Sequence, residues 1–416
     1  MLQSLELATI RQPVPTAPLA DPAAAVRAEL TRIGMFDQLR RGAYIAIGAG
    51  SRGIHGYATV VGAVVAELLR VGARPFIFPA MGSHGGATDE GQREMLATWG
   101  ITEATMGCSI ISSMEARVIG FTDSGMPVYC DAAAFASDGI LVVNRVKEHT
   151  DFHGPTESGL TKMLAIGIGK RQGAEQIHAR GVYGLREDIP RVAQVLISNA
   201  PVLAGIAIVE DGSHAISEIR AVPAHAIAAE EPYILERARR LAARLPIDHC
   251  DLLIVDRIGK DISGTGMDTN VIGRIAIDGQ PEPERPRITA LAALRLTADS
   301  HGNATGLGFA DAISKPLFDA MDAEVTQVNV VTSGFPRRGI VPPVYPDDRA
   351  TIAAALALSG VAHQNARIVR IRDTLSLHEI QVSTALLPEL LAHPEVELVA
   401  DATPLVFDEN GMLTIA

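Results

Sequence analysis

The chain's architecture is most evident from residues 44–79, which read YIAIGAGSRGIHGYATVVGAVVAELLRVGARPFIFP. Tyr44–Ile47 and Pro75–Pro79 are short apolar runs of the kind that form buried strands. Between them, His55–Arg70 repeats its apolar residues with helical spacing, and Gly72 follows as a stop. A strand, a crossover helix and a second strand in this order predict a parallel β-sheet.

The same alternation continues along the chain. Further strands are predicted at Gly139–Asn144, Ala204–Val209, Asp251–Asp256, Ile288–Leu294, Val325–Val331 and Ala366–Ile371. Helical patterns lie at Gly91–Trp99, Pro232–Arg244, Gly308–Met321 and Arg349–Leu358. The pattern predicts an α/β fold with mainly parallel sheets. A change of composition at Leu245–Asp248 divides it into two α/β domains, residues 1–247 and 248–416, and residues 411–416 could return to the first domain.

Composition excludes several classes of protein. The 416 residues are 47% hydrophobic and 20% charged, which is ample for burial, and the net charge of -12 argues against nucleic acid or an anionic membrane as partner. The three cysteines form no CxxC pair, which fits a reducing cytoplasm. No signal peptide or membrane span is visible. We therefore expect a cytoplasmic protein with a small-molecule substrate, and a homodimer as one open oligomeric state.

The first candidate site is Gly48–Gly53, between the strand and the helix that open the pattern. Its spacing matches the GxGxxG of dinucleotide sites, but the strand Pro75–Pro79 ends without the acidic residue that would hold a ribose. We therefore favour a backbone nest for an anion, with Arg52 binding a carboxylate or phosphate through paired hydrogen bonds. An NAD site and a plain turn with Arg52 in solvent are the alternatives.

The second candidate site is the turn Ala80–Glu90, which carries His84. Glycines on both sides of this imidazole offer little packing, and the turn follows a strand, where open parallel sheets bind their ligands. Thr88, followed by two acidic residues, is typical of a helix start. We predict a functional His84; the alternative is an ordinary surface or core histidine.

The third candidate site is Asn144–His178, where imidazoles, carboxylates and lysines crowd together behind a buried strand. Lys162 begins an apolar helical stretch, in which a lysine is costly to bury unless it is paired or used in a reaction. His149 and His153 would share one face of a helix, but the Gly-Pro pair that follows predicts a loop and argues against helix-based zinc ligation. A charged surface loop is the alternative.

Together, the three segments resemble the nickel-dependent lactate racemase family. The likeness rests on Arg52, on the G-[ST]-H turn Gly82–His84, and on the run H-T-D-F-H-G…S-G-L-T-K-M…H over residues 149–178. Its most specific element is the sixteen-residue separation of Lys162 and His178. The resemblance implies two α/β domains with the active site in the cleft between them, a nickel-pincer nucleotide attached covalently to Lys162, and His178 as a ligand of the nickel.

The resemblance also implies a chemistry: an isomerase that racemises or epimerises a small 2-hydroxy acid by moving a hydride off carbon 2 and back. Protein side chains cannot accept a hydride, so a cofactor is needed, while neutral histidines can take the hydroxyl proton. His84 is implied as one base and His149 or His153 as the other. We prefer His149, because Phe152-His153-Gly154 fits a Phe-x-Gly motif that follows the base. Arg52 would hold the substrate carboxylate.

Other carried-over positions match less well. The remaining implied contacts to the cofactor are Gly50, Ser51 and Ser158. Ala49 stands where the family has an acidic residue, and Lys260 is the nearest candidate for the family's second-domain substrate lysine. The single tryptophan, Trp99, lies in the first domain, so an aldonic acid or a larger 2-hydroxy acid fits as well as lactate. An NAD-dependent dehydrogenase and a non-catalytic anion-binding relative are the other functions that stay open.

Overall fold

The computed structural model describes residues 5–51 and 53–414, which form two compact units. The N-terminal unit runs from Pro15 to Ala242. The C-terminal unit combines the described residues up to Val14 with those from Ala243 onward. Arg52 lies outside the described residues. None of the helices described is long and apolar enough to span a membrane.

Both units mix strands and helices, which confirms the α/β prediction. The strands, in chain order, are β1 (Glu6–Arg11), β2 (Tyr44–Ala49), β3 (Arg74–Pro79), β4 (Ser109–Ile110), β5 (Ala116–Phe121), β6 (Pro127–Asp131), β7 (Gly139–Arg145), β8 (Val202–Glu210), β9 (Ile216–Pro223), β10 (His249–Ile258), β11 (Arg287–Leu296), β12 (Ala312–Ser314), β13 (Val344–Tyr345), β14 (Ile368–Ile371), β15 (Glu379–Ser383) and β16 (Glu397–Pro404).

Helices occur in both units. They are α1 (Pro22–Arg32), α2 (Tyr57–Arg70), α3 (Asp89–Thr98), α4 (Glu103–Met106), α5 (Ala132–Phe135), α6 (Leu160–Lys162), α7 (Lys170–His178), α8 (Gly181–Tyr183), α9 (Ile189–Asn199), α10 (Ile227–Leu241), α11 (Thr269–Ile272), α12 (Lys315–Ala320), α13 (Ala323–Ser333), α14 (Asp348–Leu358) and α15 (Leu387–Leu390). Wider π-helical turns at Met163–Gly167 and Gly184–Asp188 follow α6 and α8.

The main sheet of the N-terminal unit positions the candidate site. Its strand order within the described residues is β4-β3-β2-β7-β8-β9, parallel throughout except for the β8–β9 pair. Ala49, at the end of β2, lies opposite Pro79 of β3 and Val143 of β7. The carboxyl ends of these three neighbouring strands are therefore level, and the turns that leave them meet at one edge of the sheet. Helix α2 packs Val60, Val64 and other apolar residues on this sheet.

The sheet of the C-terminal unit has the order β13-β12-β11-β10-β14-β15-β1-β16 within the described residues. Strands β10 to β14 pair in parallel with one another, whereas the pairs β14–β15, β15–β1 and β1–β16 are antiparallel. Leu253 and Leu291, on the paired central strands, are fully buried in its core.

Residues near the two termini differ from the prediction. Strand β1 lies between β15 and β16, so the assignment of the first residues to the N-terminal domain was wrong. Its Ile10 is fully buried among residues of the C-terminal unit. At the other end, Leu413 N–H donates to Asp348 Oδ2 at 2.8 Å and Thr414 O accepts from Arg370 at 2.9 Å. These contacts hold the described end of the chain in the C-terminal unit rather than in the first domain.

Two predicted elements of the C-terminal unit are also wrong. Residues 325–331, predicted as a strand from their β-branched valines, belong to helix α13, because the Asp322 side chain caps Val325 N–H at 3.0 Å and starts a helix there. The helix predicted over Gly308–Met321 is interrupted by β12, and α12 begins only where Ser314 caps Leu317 N–H at 3.3 Å. In both cases a side-chain cap decides the local structure.

The place of β1 can be tested by removing side-chain volume from it. Ile10→Ala should lower the free energy of unfolding by about 2–5 kcal/mol, because the side chain fills a packed core. Hydrogen exchange followed by mass spectrometry should then accelerate in β15 and β16, which flank β1. Thr9→Ala, on the same strand but partly exposed, is the matched control. Faster exchange in β2 and β7, with β15 unchanged, would contradict the pairing.

Candidate active site

The three turns predicted to carry function converge in the N-terminal unit. Ser51, after β2, contacts Nδ1 of His84, after β3, through its hydroxyl oxygen. Trp99 Nε1–H donates to Ser51 O at 3.2 Å, so the single tryptophan of the chain packs against the same turn. Asn144, at the end of β7, donates from Nδ2 to Gly159 O at 2.8 Å and so ties the third loop to the strand end.

The turn after β2 approaches the third loop through its backbone. Gly50 N–H donates to Tyr57 Oη at 2.7 Å, and the same hydroxyl donates to Val143 O at 2.8 Å. A β-carbon on Gly50 would lie 3.4 Å from Asn144 Oδ1 and 3.5 Å from Met163 Cε. Helix α2 begins only at Tyr57, four residues after the last glycine of the GxGxxG match. This distance counts against a pyrophosphate seated on the helix N-terminus, as a dinucleotide site would need.

The His84 turn depends on glycine geometry. Gly82 and Gly85 have φ values of +59° and +64°, a region that side chains with a β-carbon rarely adopt. A β-carbon on Gly82 would also lie 3.2 Å from Ile166 Cγ2 and from Ala174 Cβ, so the turn packs directly on the Lys162–His178 segment. Thr88 Oγ1 accepts from Gly91 N–H at 3.0 Å, which confirms the helix start predicted there.

The third loop is organised by Glu157, a buried carboxylate that sequence reasoning missed. It accepts hydrogen bonds from His149 N–H at 2.5 Å, Gly154 N–H at 3.1 Å and Arg239 Nη2 at 2.6 Å, and lies 3.2 Å from His153 Nδ1. Burial alone would raise the pKa of Glu157, but these hydrogen bonds outweigh it and lower the pKa. The loop is therefore built around an ionised carboxylate and is not a disordered surface segment.

His149 and Lys162 are in contact within this loop. His149 Nε2 contacts Lys162 Nζ, while Nδ1 accepts Asp151 N–H at 3.0 Å. Only 7% of His149 is exposed, and its ring lies 4.6 Å from that of Phe152. Burial, followed by the positive charge of Lys162, holds the pKa of His149 well below its ordinary value. His149 is therefore a neutral imidazole at physiological pH.

His178, the last residue of α7, belongs to the same group. Burial and the charge of Lys162 lower the pKa of His178 to about 4, against the opposing effect of Asp151. It is therefore also neutral at physiological pH, the form in which an imidazole binds a metal. The charge of Lys162 therefore acts on both histidines, the one that it contacts and the one that ends α7.

A second buried acid fixes the segment that carries Lys162. Glu231 Oε2 accepts Thr161 N–H at 2.9 Å and also the Thr161 hydroxyl, so it caps the first turn of α6. Burial raises the pKa of Glu231. It comes from α10, and a β-carbon at Gly159 would overlap its other carboxylate oxygen. Nothing in the local sequence around Lys162 signals this partner, which lies 70 residues away.

Other predicted residues do not join this group in the same way. His153 turns toward Glu157 with 47% of its side chain exposed, and the hydrogen bond to Glu157 raises its pKa. Ser158 pairs through its backbone with Lys147, at 2.9 and 3.2 Å. Lys260 lies in the C-terminal unit, where Nζ donates to Asn329 Oδ1 at 2.9 Å and to Gly264 O. The roles given to Ser158, Lys260 and Arg52 stay predictions.

Comparison with known proteins identifies a solved structure with a similar fold. No protein-family model and no curated protein matches the sequence. Among solved structures, the lactate racemase apoprotein from Thermoanaerobacterium thermosaccharolyticum matches with a TM-score of 0.52 and 13% sequence identity, over 89% of this chain and 99% of that chain. In fold, the chain is similar to a lactate racemase apoprotein. At this identity the lactate racemase-like fold is all that the match shows, and it does not assign the chain to a family.

The grouping of Lys162 with two neutral histidines can be tested directly. Lys162→Met should raise the pKa of His178 above about 4, although burial should keep it below 6.5, the ordinary value. Lys147→Met is the matched control, because Lys147 acts on His149 and not on His178. Two-dimensional NMR titration of the histidine ring signals measures the His178 pKa in both variants. A His178 pKa that is unmoved by Lys162→Met would contradict the geometry.

Proposed function

We propose that this chain is an isomerase that racemises or epimerises a 2-hydroxy acid, with a nickel-pincer nucleotide attached covalently to Lys162. The observation that carries the proposal is the contact of Lys162 with a buried, neutral His149, beside a neutral His178. A lysine amine in contact with one buried, uncharged imidazole and acting on a second is unusual for a structural loop. The lactate racemase-like fold supports the same proposal.

The residues present fit such a group. Lys162 offers an amine at the edge of the sheet, and neutral His178 offers a ring nitrogen to the metal. No three His, Cys, Asp or Glu side chains within residues 5–51 and 53–414 come together as a metal site, and in this proposal the nucleotide supplies the other nickel ligands. Gly50, whose backbone lies close to Asn144 and Met163, and Ser51 would contact the nucleotide on one side. Ala49, the residue before Gly50, is uncharged and fully buried.

The protein's own part in the reaction is proton transfer and orientation. When bound, the nucleotide supplies a reversible acceptor for the hydride on carbon 2 of the substrate. His149 is the proposed acceptor of the hydroxyl proton of one enantiomer. His84 serves the other enantiomer at Nε2, because its Nδ1 contacts Ser51. Arg52 is proposed to hold the substrate carboxylate, as paired hydrogen bonds from a guanidinium would.

Cofactor attachment is tested by mass spectrometry and elemental analysis of protein produced together with the cofactor pathway. We expect a mass increment on the peptide that contains Lys162, nickel in the protein, and stereoinversion of at least one acid in a panel of 2-hydroxy and aldonic acids. Lys162→Ala should lose all three, and Lys147→Ala should keep them. Turnover by protein that carries neither nickel nor the mass increment on Lys162 would contradict the proposal. If no acid is turned over and Lys162→Ala binds anions as the unaltered chain does, the chain is an anion-binding relative.

The choice between His149 and His153 yields a second test. His149→Gln should reduce kcat by 100-fold or more in the cofactor-loaded enzyme, as loss of a general base typically costs about 10²–10⁴-fold. His153→Gln should reduce it by less than about tenfold, because His153 contacts Glu157 and not Lys162. Steady-state kinetics in both directions, on protein with equal nickel content, decides between them. The reverse ranking would assign the base to His153.

A further inference from the structure

Lys170 is a buried charge in the N-terminal unit that has no part in the chemistry proposed above. It is fully buried and begins α7, the helix that ends in His178. Its Nζ donates to Pro79 O at 2.7 Å and lies 2.9 Å from Asp131 Oδ2. That oxygen has no other hydrogen-bond donor among the described residues. A buried ammonium is very costly without such partners, so Lys170 holds the end of β3 firmly against α7.

Gln92 extends this contact to the His84 turn. Its side chain is fully buried, and Nε2 donates to Gly82 O at 3.0 Å and to His84 O at 3.2 Å. Its Oε1 lies 3.5 Å from Lys170 Nζ. The amide has one favourable orientation, because the flipped amide would set its NH₂ against the ammonium and its oxygen against two carbonyls. Lys170 thereby fixes the orientation of the Gln92 amide, and that amide holds both Gly82 and His84 in place.

The backbone around these side chains is adapted to the arrangement. Lys170 has a φ of +54°, in the left-handed region that residues other than glycine rarely adopt. Such strain persists where the surrounding contacts over-determine the conformation, as the buried contacts of Lys170 do here. A β-carbon on Gly85 would lie 2.6 Å from the carbonyl carbon of Gly91, so the turn also sits directly on the first turn of α3.

We propose that Lys170 and Gln92 are positioning residues that hold the His84 turn and the His178 helix in fixed relation. Neither side chain touches the reacting atoms; both act through the backbone of the segments that carry them. The inference rests on the proposed function, in which His84 and His178 serve the same substrate and cofactor. A misplacement of about 1 Å at a reacting group can cost about 100-fold in rate. The contacts of Lys170 and Gln92 should therefore affect the rate of the reaction.

The test is Gln92→Met, with Gln12→Met as the matched control. Gln12 is a buried glutamine of the C-terminal unit, whose Nε2 also donates to two backbone carbonyls, Arg244 O at 3.0 Å and Leu377 O at 2.6 Å. Both substitutions are neutral and leave two carbonyls without their donor, so the loss of stability should be similar. A change at His84 that appears only in Gln92→Met is therefore not explained by general destabilisation.

The first readout is structural and uses the full-length protein without cofactor. In Gln92→Met, the His84 ring signal, assigned through His84→Gln, should shift in two-dimensional NMR. The fluorescence of Trp99, which bonds Ser51 beside His84, should change as well. Gln12→Met should leave both unchanged. In the cofactor-loaded enzyme, Gln92→Met should lower kcat by about 10- to 100-fold and change KM by less than about threefold.

Two results would overturn the inference. One is a His84 signal and Trp99 emission in Gln92→Met that match those of the unaltered protein. If Gln92→Met does not fold, Asp131→Asn keeps the Oδ1 acceptor for Ala134 N–H and replaces the ion pair with Lys170 by an uncharged amide NH₂. An unmoved His84 signal in that variant is the second such result. If the unaltered protein turns over no 2-hydroxy acid, the proposed function fails, while the NMR and fluorescence shifts still decide the positioning role.

Discussion

The level alignment of β3, β2 and β7 is the constraint on which the candidate site depends. Ala49 lies opposite both Pro79 and Val143, so three turns leave the sheet at the same height. Neighbouring strands are about 4.8 Å apart, which places the outer two turns within about 10 Å of each other at their roots. Ser51, His84 and the His149–Lys162 loop are thereby brought together by backbone hydrogen bonding, before any side-chain contact is made.

Three buried acids hold the segments that carry the site residues and do not themselves belong to the proposed chemistry. Glu157 closes the loop that carries His149, Glu231 caps the turn that carries Lys162, and Asp131 pairs with Lys170 under the His84 turn. Each is buried, and each accepts a hydrogen bond from at least one backbone N–H. The edge of the site is left with the Lys162 amine and with His149 and His178, whose pKa values burial lowers, so that both imidazoles are in the neutral form that base chemistry and metal binding need.

The local sequence was enough to predict the histidines and the lysine at the edge of the sheet. It was not enough to predict the buried residues that hold them in place. His84, His149 and Lys162 stand in segments that follow apolar strand runs, so alternation alone places each of them beyond the end of a strand. Glu231 and Arg239 reach the site from α10, and no spacing signals them. The same limit explains β1, whose sheet partners lie near the other end of the chain, and α13, where a capping aspartate overrides the preference of valine for strands.

The fold is similar to that of a lactate racemase apoprotein, and the proposed reaction rests on residues 144–178 and the turn at His84. Its central claim is that the hydrogen on carbon 2 leaves and returns without exchanging with water. The most direct measurement is stereoinversion of an accepted 2-hydroxy acid by cofactor-loaded protein in deuterated water, followed by NMR of the product. We expect the product to keep the substrate's own hydrogen at carbon 2. Incorporation of solvent deuterium there would contradict it.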